Sequence, residues 1–231
     1  MSSSHYYQYT MRTALHCAAG SIIRLPALFD GMGAKRVVLY SDTGLRQAGI
    51  VDKVISVFAN GASNKAKLVG VYTEISQDAG CESVNEATAF ARSVGADAIL
   101  AVGGGSVLDA SKGVKYSLQH GASDITELLQ SGIKLESWPK AQHSAIPHIG
   151  VPTTAGTGAE VSPVAVFYNE SLGIKTNLVA PFLEPDMAVL DANLTLGLPP
   201  SLTAATGMDA LTHALEAIAS PTSNALTDAH A

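Results

Sequence analysis

Asp209 and His213 stand four residues apart in Ala204-Ala-Thr-Gly-Met-Asp-Ala-Leu-Thr-His-Ala-Leu-Glu216. On a helix that spacing stacks a carboxylate and an imidazole on one face, close enough to share a metal ion. The pair is half of a coordination shell, and the same spacing also describes an Asp–His hydrogen bond or two solvated groups. His143 and His148 are poor candidates to complete it, because their Pro147-containing segment has no helical spacing.

A second group suits phosphate rather than metal. Ala101-Val-Gly-Gly-Gly-Ser-Val-Leu-Asp109 lies where an apolar run hands over to a helical pattern. Three glycines let the backbone approach a ligand closely and take positive φ without cost. The helix behind them offers free N–H groups and a positive dipole end, which suits a pyrophosphate. Ser106 can cap that helix and donate to a phosphate oxygen, and Asp109 three residues on can close the cap. The spacing is not GxGxxG, because Leu108 stands at the third glycine position, and Gly31-Met-Gly33 precedes its strand instead of following it. The alternative is a tight strand-to-helix turn that binds nothing; triple glycine is more than such a turn needs.

Asp42 falls just past another apolar run, where a carboxylate can accept the hydroxyls of an adenosine ribose and repel a 2′-phosphate. An Asp in a turn is also an ordinary local backbone acceptor. Val151-Pro-Thr-Thr-Ala-Gly-Thr-Gly-Ala-Glu-Val-Ser162 places Thr153, Thr154, Thr157 and Ser162 with two glycines in a polar loop after a strand. Open α/β sheets bind ligands at such loops, although composition alone also describes a solvated one. Lys175 follows, within reach of a ribose or phosphate or simply on the surface.

These residues need a sheet to hold them. From about residue 35 the chain alternates short apolar runs with helical segments, the pattern of βα units around a largely parallel sheet. Strands are expected at 37–40, 68–72, 98–102, 149–151, 164–168 and 187–190. Ser83 and Glu86 have capping-box spacing, which predicts a helix from Ser83 to Val94 stopped by Gly95. A second helix is expected from about Val107 to Leu118. Residues 119–144, with Trp138, are a polar excursion without a readable period. Pro199-Pro200-Ser201 opens a helix reaching about Ala219, with Leu202, Met208, Leu211, Leu215 and Ile218 as its apolar stripe. The change of texture sets a domain boundary near 195.

Composition narrows the partners. Hydrophobic residues are 47% and charged residues 15% of the 231, which fits a sheet covered on both faces. A net charge of −6 leaves no basic footprint, so nucleic acid is not an expected partner. Cys17 and Cys81 form no CxxC pair and read as reduced thiols, with one disulfide left open. No apolar run approaches a membrane span, and the first ten residues lack the apolar stretch of a signal peptide, so a soluble cytoplasmic protein is expected.

Taken together, AVGGGSVLDASK, VPTTAGTGAEVSP and LPPSLTAATGMDALTHALEA resemble, in order and separation, the signatures of the iron-containing (group III) alcohol dehydrogenases. The similarity runs from about Gly20 to the last residue. It implies a Rossmann-like α/β domain (dehydroquinate synthase-like) over 1–195 and the start of an all-helical domain over 196–231. By motif, Gly104, Gly105, Ser106 and Asp109 would hold the pyrophosphate of NAD and Asp42 its adenosine ribose. Thr153, Thr154, Ser162 and Lys175 would line the rest of the cleft, and Asp209 and His213 match the first two ligands of a divalent metal, Fe2+ or Zn2+. The implied reaction is hydride transfer between an alcohol and NAD, or back to an aldehyde or ketone, by an enzyme that forms dimers or larger assemblies.

In that family two further histidine ligands follow later in the helical domain. The sequence stops at Ala231, so the resemblance leads to the expectation of an incomplete chain whose 201–219 stripe stays partly exposed. The competing readings are a metal-free relative of the maleylacetate reductase kind, a relative using NAD differently, as dehydroquinate synthase does, and a non-catalytic nucleotide-binding module. The Asp209–His213 pair speaks against the metal-free branch.

Overall fold

The computed structural model describes residues 9–61, 64–129, 132–137 and 141–231. In chain order the elements are β1 (Ala14–Cys17), α1 (Leu25–Gly31), β2 (Arg36–Tyr40), α2 (Thr43–Gln47), α3 (Ile50–Asn60), β3 (Lys67–Tyr72), α4 (Cys81–Ser93) and β4 (Ala98–Gly103). There follow α5 (Gly105–His120), β5 (Ile133–Leu135), β6 (His148–Pro152), β7 (Val164–Asn169), β8 (Ile174–Val179), β9 (Met187–Leu190), α6 (Pro200–Ala219) and α7 (Ala225–His230). Short 3-10 turns at Ser21–Arg24, Gln77–Ala79, Ile125–Leu128 and Ala192–Leu194 complete the chain.

Six strands form one parallel sheet in the order β1-β9-β6-β4-β2-β3. Its central strands are buried on both faces, which is why they read as continuous apolar runs. Val38, Tyr40, Ile99 and Ala101 face α4 and α5, while Val37, Leu39, Leu100 and Val102 face α1 and α3. The Tyr40 hydroxyl donates to the Ala87 carbonyl at 2.8 Å, so the one polar atom this ring brings inside is satisfied. A second sheet, β5-β8-β7, packs its β7 strand against α5. The expected strand at 164–168 belongs here, outside the main sheet, paired antiparallel with β8.

The sequence pattern located the helices better than their caps. α4 begins at Cys81 behind Gly80, with no side-chain cap, so the Ser83–Glu86 capping box does not form. The Ser83 hydroxyl instead accepts from Ser76 N–H at 3.1 Å and donates to Glu74 O at 3.2 Å, tying the helix to the loop before it. Glu86 accepts from the Tyr72 hydroxyl. Gly95, at φ 58, does stop the helix. β1 was not readable as a strand; Ala-Leu-His-Cys is short and lies at the sheet edge beside β9. The 119–144 stretch supplies the end of α5, the turn at Ile125–Leu128 and β5; Trp138 lies outside the described residues. Neither cysteine is in a disulfide: Cys17 is exposed and Cys81 buried. Among the described residues no helix is long and apolar enough to cross a membrane.

α6 opens with proline at its first turn, as expected, and none of its residues is buried. Leu202, Met208, Leu211, Leu215 and Ile218 are each about half exposed (49 to 60%), so the helix presents its stripe to solvent. α5 is the opposite case, with ten of its sixteen residues buried. A Cβ at Gly113, in its middle, would lie 2.9 Å from both Phe167 Cε1 and Val84 Cγ1. Gly113→Ala is therefore expected to overpack the contact of α5 with α4 and β7 and to cost about 1–3 kcal/mol. A urea midpoint equal to that of the unsubstituted chain would show that α5 can shift freely.

Candidate functional site

Parallel register sets the site. β2 and β4 pair from Val37↔Ala98 to Tyr40↔Ala101, and β4 and β6 from Ile99↔His148 to Gly103↔Pro152. β4 and β6 therefore stop level, and β2 ends opposite Ala101, two residues earlier. β2 sends the chain out to β3 on one side, and the next strand, β4, returns on the other side, so the crevice between β2 and β4 is a topological switch point. The Ser41 hydroxyl donates to Val102 O at 2.8 Å and Thr153 N–H donates to Gly103 O at 3.0 Å. These bonds pin Asp42, the glycine turn and the threonine loop side by side.

Asp42 caps α2, one carboxylate oxygen accepting from Leu45 N–H at 2.8 Å, which leaves the second oxygen without a partner among the described residues. Asp42, Gly104, Thr153 and Thr154 line a cavity of about 1250 Å3, whose apolar wall includes Leu45, Ile50, Val57 and Leu202. That combination, an apolar slot with a carboxylate at one end, suits a purine and its ribose.

The glycine turn works differently from expectation. None of Gly103, Gly104 and Gly105 has positive φ, so left-handed backbone is not what the three glycines provide. They provide room. A Cβ at Gly103 would collide with the Val107 side chain, and one at Gly105 would lie 2.9 Å from Thr157 Cγ2. α5 starts at Gly105 with Gly104 extended before it and no side-chain cap. Ser106 does not cap the helix and Asp109 does not close it. The first turn of α5 therefore carries no side-chain cap of its own.

Ser106 Oγ accepts from Asp78 N–H at 3.1 Å. Asp109 accepts from Val166 N–H at 3.0 Å and from the Lys112 ammonium at 3.1 Å. Lys112, which sequence reasoning passed over, is fully buried and donates also to Ser162 Oγ at 3.2 Å and Val164 O at 2.6 Å. Burial pushes the Asp109 carboxyl up and the Lys112 ammonium down, and each charge opposes the other's shift. All three ammonium protons thus have acceptors inside the protein. Asp109 and Ser162 thus hold the cradle together from beneath.

Beyond the turn a second cavity, about 540 Å3, is lined by Gly105, Ser106, Asp109, Ser162, Lys175, Asp209 and His213, together with Asp78 and Thr157. Asp209 Oδ1 and His213 Nε2 lie 3.5 Å apart on α6, both partly exposed. A Cβ at Gly156 would lie 2.8 Å from Thr206 O and 2.9 Å from Asp209 Oδ2, so the threonine loop reaches α6 through this glycine. Among the described residues no group of three His, Cys, Asp or Glu side chains is placed to hold a metal. His143 lies 3.7 Å from Asp186, and His148 is buried against Ser111; neither lines the cavity with Asp209.

Lys175, on β8, donates to Asp78 Oδ1 at 2.8 Å. Asp78 and its neighbour Ala79 both have positive φ, 60 and 50, a conformation that costs a non-glycine residue roughly 1–2 kcal/mol. No spacing in the sequence pointed to Asp78. Only the topology brings the segment after β3 to the start of α5.

A doubly wound parallel sheet with a glycine turn, an aspartate and a threonine loop at its switch point defines a Rossmann-like α/β domain. Residues 13–192 match the model of the iron-containing alcohol dehydrogenases, and the chain belongs to that family. It is 35% identical over 215 residues to long-chain-alcohol dehydrogenase 1 of Geobacillus thermodenitrificans, covering 91% of this chain and 52% of that one. The crystal structure of a 1,3-propanediol oxidoreductase superposes with a TM-score of 0.86 at 30% identity, over 97% of this chain and 56% of that one. A sulfoacetaldehyde reductase from Bifidobacterium kashiwanohense, solved in complex with NAD+, matches with a TM-score of 0.79 at 26% identity, over 93% and 54%. The chain spans about half the length of the curated relatives it matches.

Beneath α5, His148 Nε2 lies 3.0 Å from Ser111 Oγ while its Nδ1 has no hydrogen-bond partner among the described residues. Full burial, with the charges of Lys115 and Lys112 nearby, holds this imidazole well below its usual range. The folded chain therefore refuses a proton that the unfolded chain accepts near pH 6.5. Its contribution to stability is complete above that pH and is lost as the pH falls below it, at up to about 1.4 kcal/mol per pH unit. Urea midpoints measured from pH 7.5 to 5 are expected to fall less steeply for His148→Gln; equal slopes would assign the acid sensitivity to other groups.

Proposed function

We propose that the chain is the cofactor-binding part of an NAD-dependent, metal-containing oxidoreductase acting between a primary or secondary alcohol and its aldehyde or ketone. The observation that carries this is the exit of the neighbouring strands β2, β4 and β6 at one edge of the sheet, which sets Asp42, Gly104, Thr153 and Thr154 around one cavity. The cavity holding Asp209 and His213 opens from the next residue of the same turn, Gly105.

In this reading residues 1–195 form the dinucleotide domain and 196–231 begin the helical one. Asp42 accepts the adenosine ribose hydroxyls, and its charge disfavours a 2′-phosphate. The amides of Gly104, Gly105 and Ser106, with the Ser106 hydroxyl, take the pyrophosphate at the start of α5. Thr153 and Thr154 flank it, and Lys175 reaches the second ribose or phosphate. Asp109 and Ser162 act through Lys112 by fixing the slope of α5 against the loop. Asp209 and His213 offer one oxygen and one nitrogen on a single helix face, a fit for part of an Fe2+ or Zn2+ coordination shell. When bound, the nicotinamide supplies hydride exchange and the metal supplies polarisation of the substrate oxygen. The chain's own part is to align the two cavities and hold the reacting groups away from water.

Calorimetric titration with NADH, then with Zn2+ or anaerobic Fe2+, tests the reading. NADH is expected to bind at one site per chain, and Asp42→Gly to reduce the preference for NADH over NADPH by about tenfold, or ~1.4 kcal/mol. Absence of NADH binding would sink the proposal. NADH binding without stoichiometric metal would confine it to the cofactor domain.

A further inference from the structure

Among the described residues that line the cavity beside the glycine turn, Lys175 is the one lysine or arginine. Three carboxylates share that cavity: Asp78, Asp109 and Asp209. Asp109 is neutralised by Lys112. Lys175 is held by Asp78 at 2.8 Å, with both side chains about half exposed at 59% and 46%. An incoming pyrophosphate therefore meets a cation already paired and a carboxylate beside the start of α5.

We propose that Asp78 is an internal anion that occupies Lys175 in the free protein and so weakens dinucleotide binding, releasing the lysine only when the cofactor's phosphate or ribose replaces it. The proposal rests on the NAD reading above. Two structural facts hold Asp78 in this position. Its amide donates to Ser106 Oγ, which anchors the residue to the first turn of α5. Its backbone, at φ 60 and ψ 15, aims the chain back toward that turn. Because Asn tolerates this left-handed conformation as well as Asp does, Asp78→Asn removes the charge while keeping the backbone.

The pair competes directly with the ligand for Lys175. An exposed ion pair of this kind is worth little by itself, so the expected gain is modest: Asp78→Asn should bind NADH about two- to fivefold more tightly at low ionic strength. The affinity of the variant should also fall more steeply with added salt, since the freed lysine then engages the phosphate. In Asp78→Asn/Lys175→Gln the gain should vanish, because the two positions act through one contact.

Calorimetry with NADH on the four proteins of this cycle decides the matter. Tighter binding by Asp78→Asn that disappears in the double variant supports the proposal. If the unsubstituted chain binds NADH and Asp78→Asn binds equally or more weakly, the proposal is overturned while the NAD reading stands. A gain that survives Lys175→Gln likewise overturns it. If none of the four binds NADH, the NAD reading fails and the proposal fails with it.

Discussion

An ammonium ion sealed from water must find acceptors for every proton, and Lys112 finds them on three different parts of the chain. Asp109 belongs to the same helix, Ser162 ends the threonine loop, and Val164 opens β7. Leaving one of these acceptors out would leave a buried ammonium proton unsatisfied, a penalty of about 1–3 kcal/mol or more. The slope of α5, the seat of the loop and the position of β7 are therefore a single geometric solution. The crevice inherits its shape from that solution, since its floor is the first turn of α5 and its wall is the loop.

The neighbouring exits of the central strands do the remaining work. Parallel pairing brings Asp42, Gly104 and Thr153 together from three distant stretches of sequence, and the Ser41 and Thr153 bonds fasten them. The outer edge of the arrangement is looser. α6, which carries Asp209 and His213, meets the loop where Gly156 permits close approach, and its apolar side faces solvent.

Much of this was legible in the residues themselves. The doubly buried strands announced themselves as apolar runs, and the long helices as periodic ones, because the main sheet is covered on both faces. The motifs marked the two ends of the crevice for the same reason: strand exits, glycines and hydroxyls must sit near one another to make a ligand site. What stayed hidden was local or long-range in a way that spacing does not encode. Ser83 and Ser106 look like caps, yet tertiary partners at Ser76 and Asp78 claim their hydroxyls. Lys112 sits in a stretch read only as a helix, and its role depends on a strand more than fifty residues away. β1 is four residues at an edge, too short to carry a pattern.

The negative φ angles of the glycine turn have a consequence for how such a site can change. A residue that needs left-handed backbone is constrained by its own chain, and no neighbour can relieve it. Gly105 is constrained by a neighbour alone, chiefly the Thr157 methyl group at 2.9 Å from where a Cβ would stand. Trimming that methyl, as in Thr157→Ser, opens the space that Gly105→Ala would fill. Positions 105 and 157 therefore form one unit of variation, able to drift together between a glycine facing a threonine and an alanine facing a smaller residue, while the backbone path of the cradle stays the same.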